Sequence, residues 1–157
     1  MKEKNRDPRR PETITVNVGK RCEQVEIEIA PLIREIWLAG LETMMSSQEV
    51  SPGIAWIEFP AVAELLRFLN IVTKYEPGAN TLYNRICHQV TGLILSPPWE
   101  FEFNLWDRFH GREEQRDNGE VSFFASVGVY FPKLEITLLI ERLRFFNSVN
   151  GSADPME

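Results

Sequence analysis

Apolar and polar positions divide the chain into segments with different periods. Thr13 to Val18 (TITVNV) alternates β-branched and polar residues, which predicts a strand. Ile29, Leu32, Ile33, Ile36 and Trp37 recur at the spacing of one helical face, with Pro31 in the first turn, Glu26 and Glu28 ahead of it and Gly40 as the stop. Leu41 to Ser46 and Ile54 to Phe59 are short apolar runs, read as adjacent strands joined by a turn over Ser47 to Gly53. Val62, Leu65, Leu66, Leu69 and Val72 then predict a second helix, with Pro60 near its start. Leu82, Ile86, Val90 and Leu93 predict a short extra one.

After Ser96-Pro97-Pro98 comes the cleanest alternation in the chain, WEFEFNLW. A charged loop, HGREEQRDNGE, separates it from a second strand, VSFFASVGVYF, and Leu134 to Phe146 closes as a helix with Ile136, Leu139, Ile140 and Leu143 on one side. Leu134, Leu138 and Phe145 add apolar surface off that stripe. The order β-α-β-β-α-(α)-β-β-α predicts an α+β two-layer sandwich, with helices on one face of a mainly antiparallel sheet. The first part matches the split order of ferredoxin-like folds. IEFP before a helix carrying RFLN is echoed by VYFP before a helix carrying RFFN, as two strand-helix units of one sheet would be.

Composition changes this picture only at the ends. Residues 1–12 and 148–157 are polar and charged, so they are expected to be disordered tails around a single domain at 13–147. The net charge is −6, but residues 1–11 carry +3, which leaves −9 for the rest. An acidic body opposes a polyanion, so nucleic acid is disfavoured as a partner. The remaining route to it is the arm Lys2 to Arg10, helped by Arg108, Arg112 and Arg116. The opening residues lack the apolar stretch of a signal peptide, and no apolar run approaches the ~20 residues that span a bilayer. A soluble, cytoplasmic protein is the expectation.

The candidate chemistry is sparse. No CxxC, HExxH, EF-hand, GxGxxG or GxSxG pattern occurs, so no metal or cofactor is expected. Cys87 and His88 are helix neighbours that point apart, Cys87 sits in an apolar-periodic helix as a packed thiol would, and His110 lies in the charged loop. Ser46, Ser47 and Gln48 offer two hydroxyls and an amide for a polar ligand, although Ser-Pro-Gly is also ordinary turn chemistry.

Strand parity supplies the larger candidate surface. With helices on one side, Trp99, Phe101, Phe103, Leu105, Val121, Phe123 and Val127 face inward. Glu100, Glu102, Asn104, Trp106, Ser122, Phe124, Ser126 and Tyr130 face outward, joined by Trp56 and Glu58. That second face is an interface rich in aromatic residues, a wet sheet face, or core beneath residues 82–93. The corresponding functions are a non-catalytic binding or regulatory module that self-associates or meets a protein partner, a small enzyme using Glu58, Glu100 or Glu102, and nucleic-acid binding through the arm.

The run Trp37-x-x-Gly40-Leu41-x-Thr43, then Ser46-Ser47-Gln48, then Ile57-Glu58-Phe59 resembles a pattern in small bacterial and phage proteins. Many of these have Ser-Cys-Gln where this chain has Ser46-Ser47-Gln48. The resemblance therefore implies no thiol role at position 47, and it brings no activity with it.

Overall fold

In the computed structural model, residues 9–74, 81–87, 99–108 and 122–151 are described. Strand β1 (Thr13–Val18) turns at Gly19, whose φ of +58° favours glycine, into β2 (Arg21–Glu26). Helix α1 (Ala30–Leu38), β3 (Met45–Ser51), β4 (Ile54–Phe59), α2 (Val62–Lys74) and α3 (Thr81–Cys87) follow. Strands β5 (Glu100–Asp107) and β6 (Phe123–Pro132) lead through a 3-10 turn, Lys133–Glu135, to α4 (Ile136–Asn150). The chain is an α+β protein. All strand pairs among the described residues are antiparallel, and helices pack on one face of a four-stranded sheet ordered β3-β4-β6-β5.

Strand β2 departs from the expected order. It pairs with β1 in a separate two-stranded sheet, because RCEQVE pairs along its whole length although only Val25 is buried. Glu26 thus closes a strand rather than favouring the start of α1, and Glu28 pairs with Lys133. The helical face of α1 is as expected: Ile29, Leu32, Ile33, Ile36 and Trp37 are all buried.

The second correction concerns the join between β3 and β4. Ser47 to Ser51 belong to the strand, with an irregularity between Ser47 and Ser51, and the turn is confined to Pro52-Gly53. Gly53 makes so short a turn possible with a φ of +75°. The residues Leu41 and Thr43, expected in that strand, are instead a buried approach to it. There Thr43 Oγ1 accepts the Trp37 indole N–H at 2.9 Å. Arg21 stacks on the same indole at 4.2 Å and donates to the Thr43 carbonyl.

The core lies between the sheet and the helices. Ala55, Ile57 and Phe59 of β4 and Val127, Val129 and Phe131 of β6 form its sheet wall. Helix α2 presents Leu65, Phe68, Ile71 and Val72, and Phe68 meets Phe59 at 5.2 Å. Val62 and Leu66, expected on that face, are exposed, because the helix is rotated to seat Phe68. Helix α4 buries Ile136, Leu139 and Leu143, while Leu134 and Phe145 stay in solvent. The echoed IEFP and VYFP segments end the neighbouring strands β4 and β6, and their helices α2 and α4 pack together.

Helix α3 sits on the helical side. Arg85 pairs with Glu135, whose other oxygen accepts the Trp99 indole N–H at 2.6 Å, and Trp99 stacks on Phe131 of the core wall at 5.2 Å. This part of the extra helix therefore does not cover the opposite face of the sheet, and 88–93 lie outside the described residues. So do most of both tails and the loop with His110, Arg112 and Arg116. Among the described residues no helix is long and apolar enough to cross a membrane.

Candidate functional site

Residues directly opposite one another across the sheet form rows on the face away from the helices. Ser47, Trp56, Tyr130 and Glu100 make one row, and Met45, Glu58, Gly128 and Glu102 the next. Asn104 with Ser126, then Trp106 with Phe124, extend it along β5 and β6. The candidates Trp56, Glu58, Glu100, Glu102, Asn104, Trp106, Phe124 and Tyr130 are thus brought onto one surface. Strand pleat places them there, since each step of two residues returns to the same side.

This surface is not uniformly wet. Glu58 and Ser126 are both 0% exposed. Asn104 Nδ2 donates to Glu58 Oε1 at 2.9 Å, and the Ser126 hydroxyl donates to the same oxygen. Ser126 Oγ in turn accepts the Trp106 indole N–H at 2.6 Å, and Trp106 stacks on Phe124 with centroids 6.3 Å apart. On the other flank, Trp56 stacks on Tyr130 at 6.4 Å. These rings close over a buried carboxylate that has no ion pair among the described residues. Its Oε2 and the Trp56 indole N–H are buried without hydrogen-bond partners among the described residues.

Gly128 makes this packing possible. A Cβ built there would come within 2.6 Å of Glu58 Oε2 and 2.9 Å of Trp56 Nε1, so the side chains of β4 lie down over bare backbone. The sequence signal was a lone glycine in the middle of the strand SVGVYF. Toward the rim, the Tyr130 hydroxyl donates to Glu102 Oε2 at 2.8 Å. Its pKa is pushed up to about 12, first by that hydrogen bond, then by burial and by the charges of Glu102, Glu58 and Glu100.

Ser46, Ser47 and Gln48 do a different job. Ser46 pairs with Ile57 and so lies on the helix-covered side. The Ser47 hydroxyl donates to Glu26 Oε2 at 3.2 Å, as does the Gln48 amide N–H at 2.7 Å, and Gln48 Oε1 accepts the Glu28 N–H at 2.7 Å. The run fastens the β1-β2 hairpin to the edge of β3 and satisfies an edge amide that would otherwise be open. Nearby, Lys133 bridges Glu28 and Glu49; its ammonium is held above its ordinary pKa, chiefly by Glu28. The Glu49 carboxyl is held below its own ordinary value, first by the Lys133 hydrogen bond and then by the Gly53 N–H.

The largest surprise lies on the other side of β5. Phe101, Phe103, Leu105 and Phe123, all expected inward, are 41%, 65%, 60% and 59% exposed. Parity put them on the same side as Val127 and Val129, which is correct, but α2 packs over β4 and β6, and β5 is the outermost strand. Sequence alternation reveals which residues share a face and not how far the covering layer extends. A row of apolar side chains is thus left in solvent along an edge that has no strand partner among the described residues.

Two further features frame the site. A cleft of about 360 Å³ lies where the hairpin meets β3, lined by Val25, Glu26, Trp37, Met45 and Trp56 among others. Cys87 is exposed rather than packed, as is Cys22. Among the described residues no group of three or more His, Cys, Asp or Glu side chains could hold a metal ion. No family model matches the chain, and no curated protein or solved structure shows significant similarity to it.

Proposed function

We propose that this protein is a non-catalytic binding module of the cytoplasm that engages a protein chain along β5. The observation that carries this reading is the exposed row Phe101, Phe103 and Leu105 on an outermost strand, flanked by Phe123. An apolar edge of this kind is normally shortened, charged or covered, because it templates strand addition. Here it is eight residues long and bare on that face, which suits a partner that supplies one more strand and covers the rings. The opposite face supports the strand: the Glu58, Asn104 and Ser126 hydrogen bonds tie β5 to β4 and β6. Two exposed free thiols fit a reducing compartment.

An enzyme built on Glu58 is less well supported, since its carboxylate and its Ser126 partner are sealed from solvent. Of the basic arm, only Arg9 and Arg10 fall among the described residues near that end.

The test is site-specific photo-crosslinking with a photoreactive phenylalanine at 103, and at Leu134 as an exposed control away from the sheet. The expected result is one discrete protein adduct at 103 that is absent at 134. The same adducts at both positions, or none at 103, would overturn the reading.

A further inference from the structure

The proposed module needs a partner strand, and we infer, resting on that reading, that the partner is a second copy of this chain. It is added antiparallel to β5 about a two-fold axis at Phe103. A two-fold axis perpendicular to the sheet keeps each side chain on its own face and sets each residue opposite one at a fixed sum of numbers. Three registers use most of the strand.

Centring on Glu102 sets two carboxylates directly opposite each other, which is repulsive. Centring on Asn104 sets Phe101 against Asp107, so a charge breaks the apolar row at both ends. It gains a Glu100 to Arg108 pair in return, but an exposed ion pair stabilises far less than covering a phenyl ring. Centring on Phe103 sets Phe101 against Leu105, Phe103 against Phe103 and Leu105 against Phe101, an unbroken apolar row. On the other face Glu102 then meets the Asn104 amide, and Glu100 meets Trp106, so no carboxylate faces another.

The strand is therefore complementary to itself in one register, and pairing would join two four-stranded sheets into one of eight strands. Each copy carries −6, so the two bodies repel at long range, and added salt should tighten the dimer. Binding to nucleic acid would weaken instead.

The experiment places one cysteine at a time in the full chain after Cys22→Ser and Cys87→Ser, as Glu102→Cys, Phe103→Cys or Asn104→Cys. Residues facing themselves across an antiparallel pair have Cα atoms about 4.5–5.5 Å apart, within disulfide reach. In the Phe103 register two cysteines at 102, or two at 104, are offset by two residues, about 6.8 Å along the strand, and fall out of reach. Mild oxidation should give covalent dimer with Phe103→Cys and little with the other two, and wild-type mass by light scattering should rise toward two chains over a hundredfold concentration range. Fastest cross-linking at 102 or 104 would overturn the register. A strict monomer would overturn the second copy, while a foreign adduct at position 103 in the photo-crosslinking would leave the binding module standing.

Discussion

Among the described residues two glutamates are buried, Glu35 and Glu58, and the fold treats them differently. Glu35 lies between α1 and α4, where Arg144 Nε donates to it at 3.3 Å and Asn147 Nδ2 at 2.9 Å. The Arg144 side chain is 62% exposed, so the charge is met by a cation reaching in from water. Glu58 lies in the middle of the sheet and is held by a neutral amide and a neutral hydroxyl, with no cation among the described residues. A carboxylate between helices can borrow solvent through a long side chain, whereas one beneath a sheet face must be solvated by its neighbours. The Glu58 network is therefore the more demanding one, since the Asn104 amide and the Ser126 hydroxyl both point at a single oxygen.

The largest expected effect is removal of that group. Glu58→Ala leaves Asn104 and Ser126 without their acceptor and opens a hole under Trp56, costing about 3 kcal/mol. Glu35→Ala should cost less, about 2 kcal/mol, because Arg144 returns to water and Asn147 keeps the Glu35 backbone carbonyl at 3.1 Å. Urea denaturation of both variants checks the order. Equal losses, or a larger loss at Glu35, would mean that the sheet-face network is no more constrained than the helix interface.

Gly128→Ala sharpens the same contrast by leaving every polar group in place. The added methyl meets Glu58 and Trp56 well inside contact distance, and both are hemmed in, so a loss of about 2 kcal/mol is expected. The indole fluorescence of Trp56 should shift as the ring is displaced. A variant as stable as wild type, with unchanged fluorescence, would show that these side chains are loosely held.

Much of the fold was legible in the sequence because its elements repeat one period cleanly. The face of α1 and the alternation of β5 needed only spacing, and the two rows of β5 and β6 fall on the sides that parity assigns. Strand β2 was missed because RCEQVE carries a single buried side chain and is set by backbone pairing with β1. The role of Ser47-Gln48 depended on a Glu26 that sits 21 and 22 residues away, in a sheet the pattern did not announce. The exposure of Phe101, Phe103 and Leu105 depended on where α2 stops covering the sheet, which no local period encodes.

The smallest expected effect is a titration, and it reports on the Glu58 side alone. Tyr130 hydrogen-bonds Glu102, and its pKa is raised from the ordinary 10 to about 12, so the native state holds the phenolic proton more tightly than the unfolded chain. The resulting stabilisation is fully present below about pH 10 and is lost as pH rises through about 12. Tyrosinate absorbance of the wild type minus that of Tyr130→Phe, recorded after a rapid pH jump, isolates this residue. Glu102→Gln should bring the midpoint down toward 10, because the hydrogen bond is the leading cause of the shift. Glu58→Gln should lower it only slightly, because Glu58 acts on Tyr130 through charge and not through a bond. If Glu58→Gln lowered it as far as Glu102→Gln, the buried carboxylate would govern the rim of this face as well as its centre. The separation between a sealed network and an outer aromatic rim would then fail.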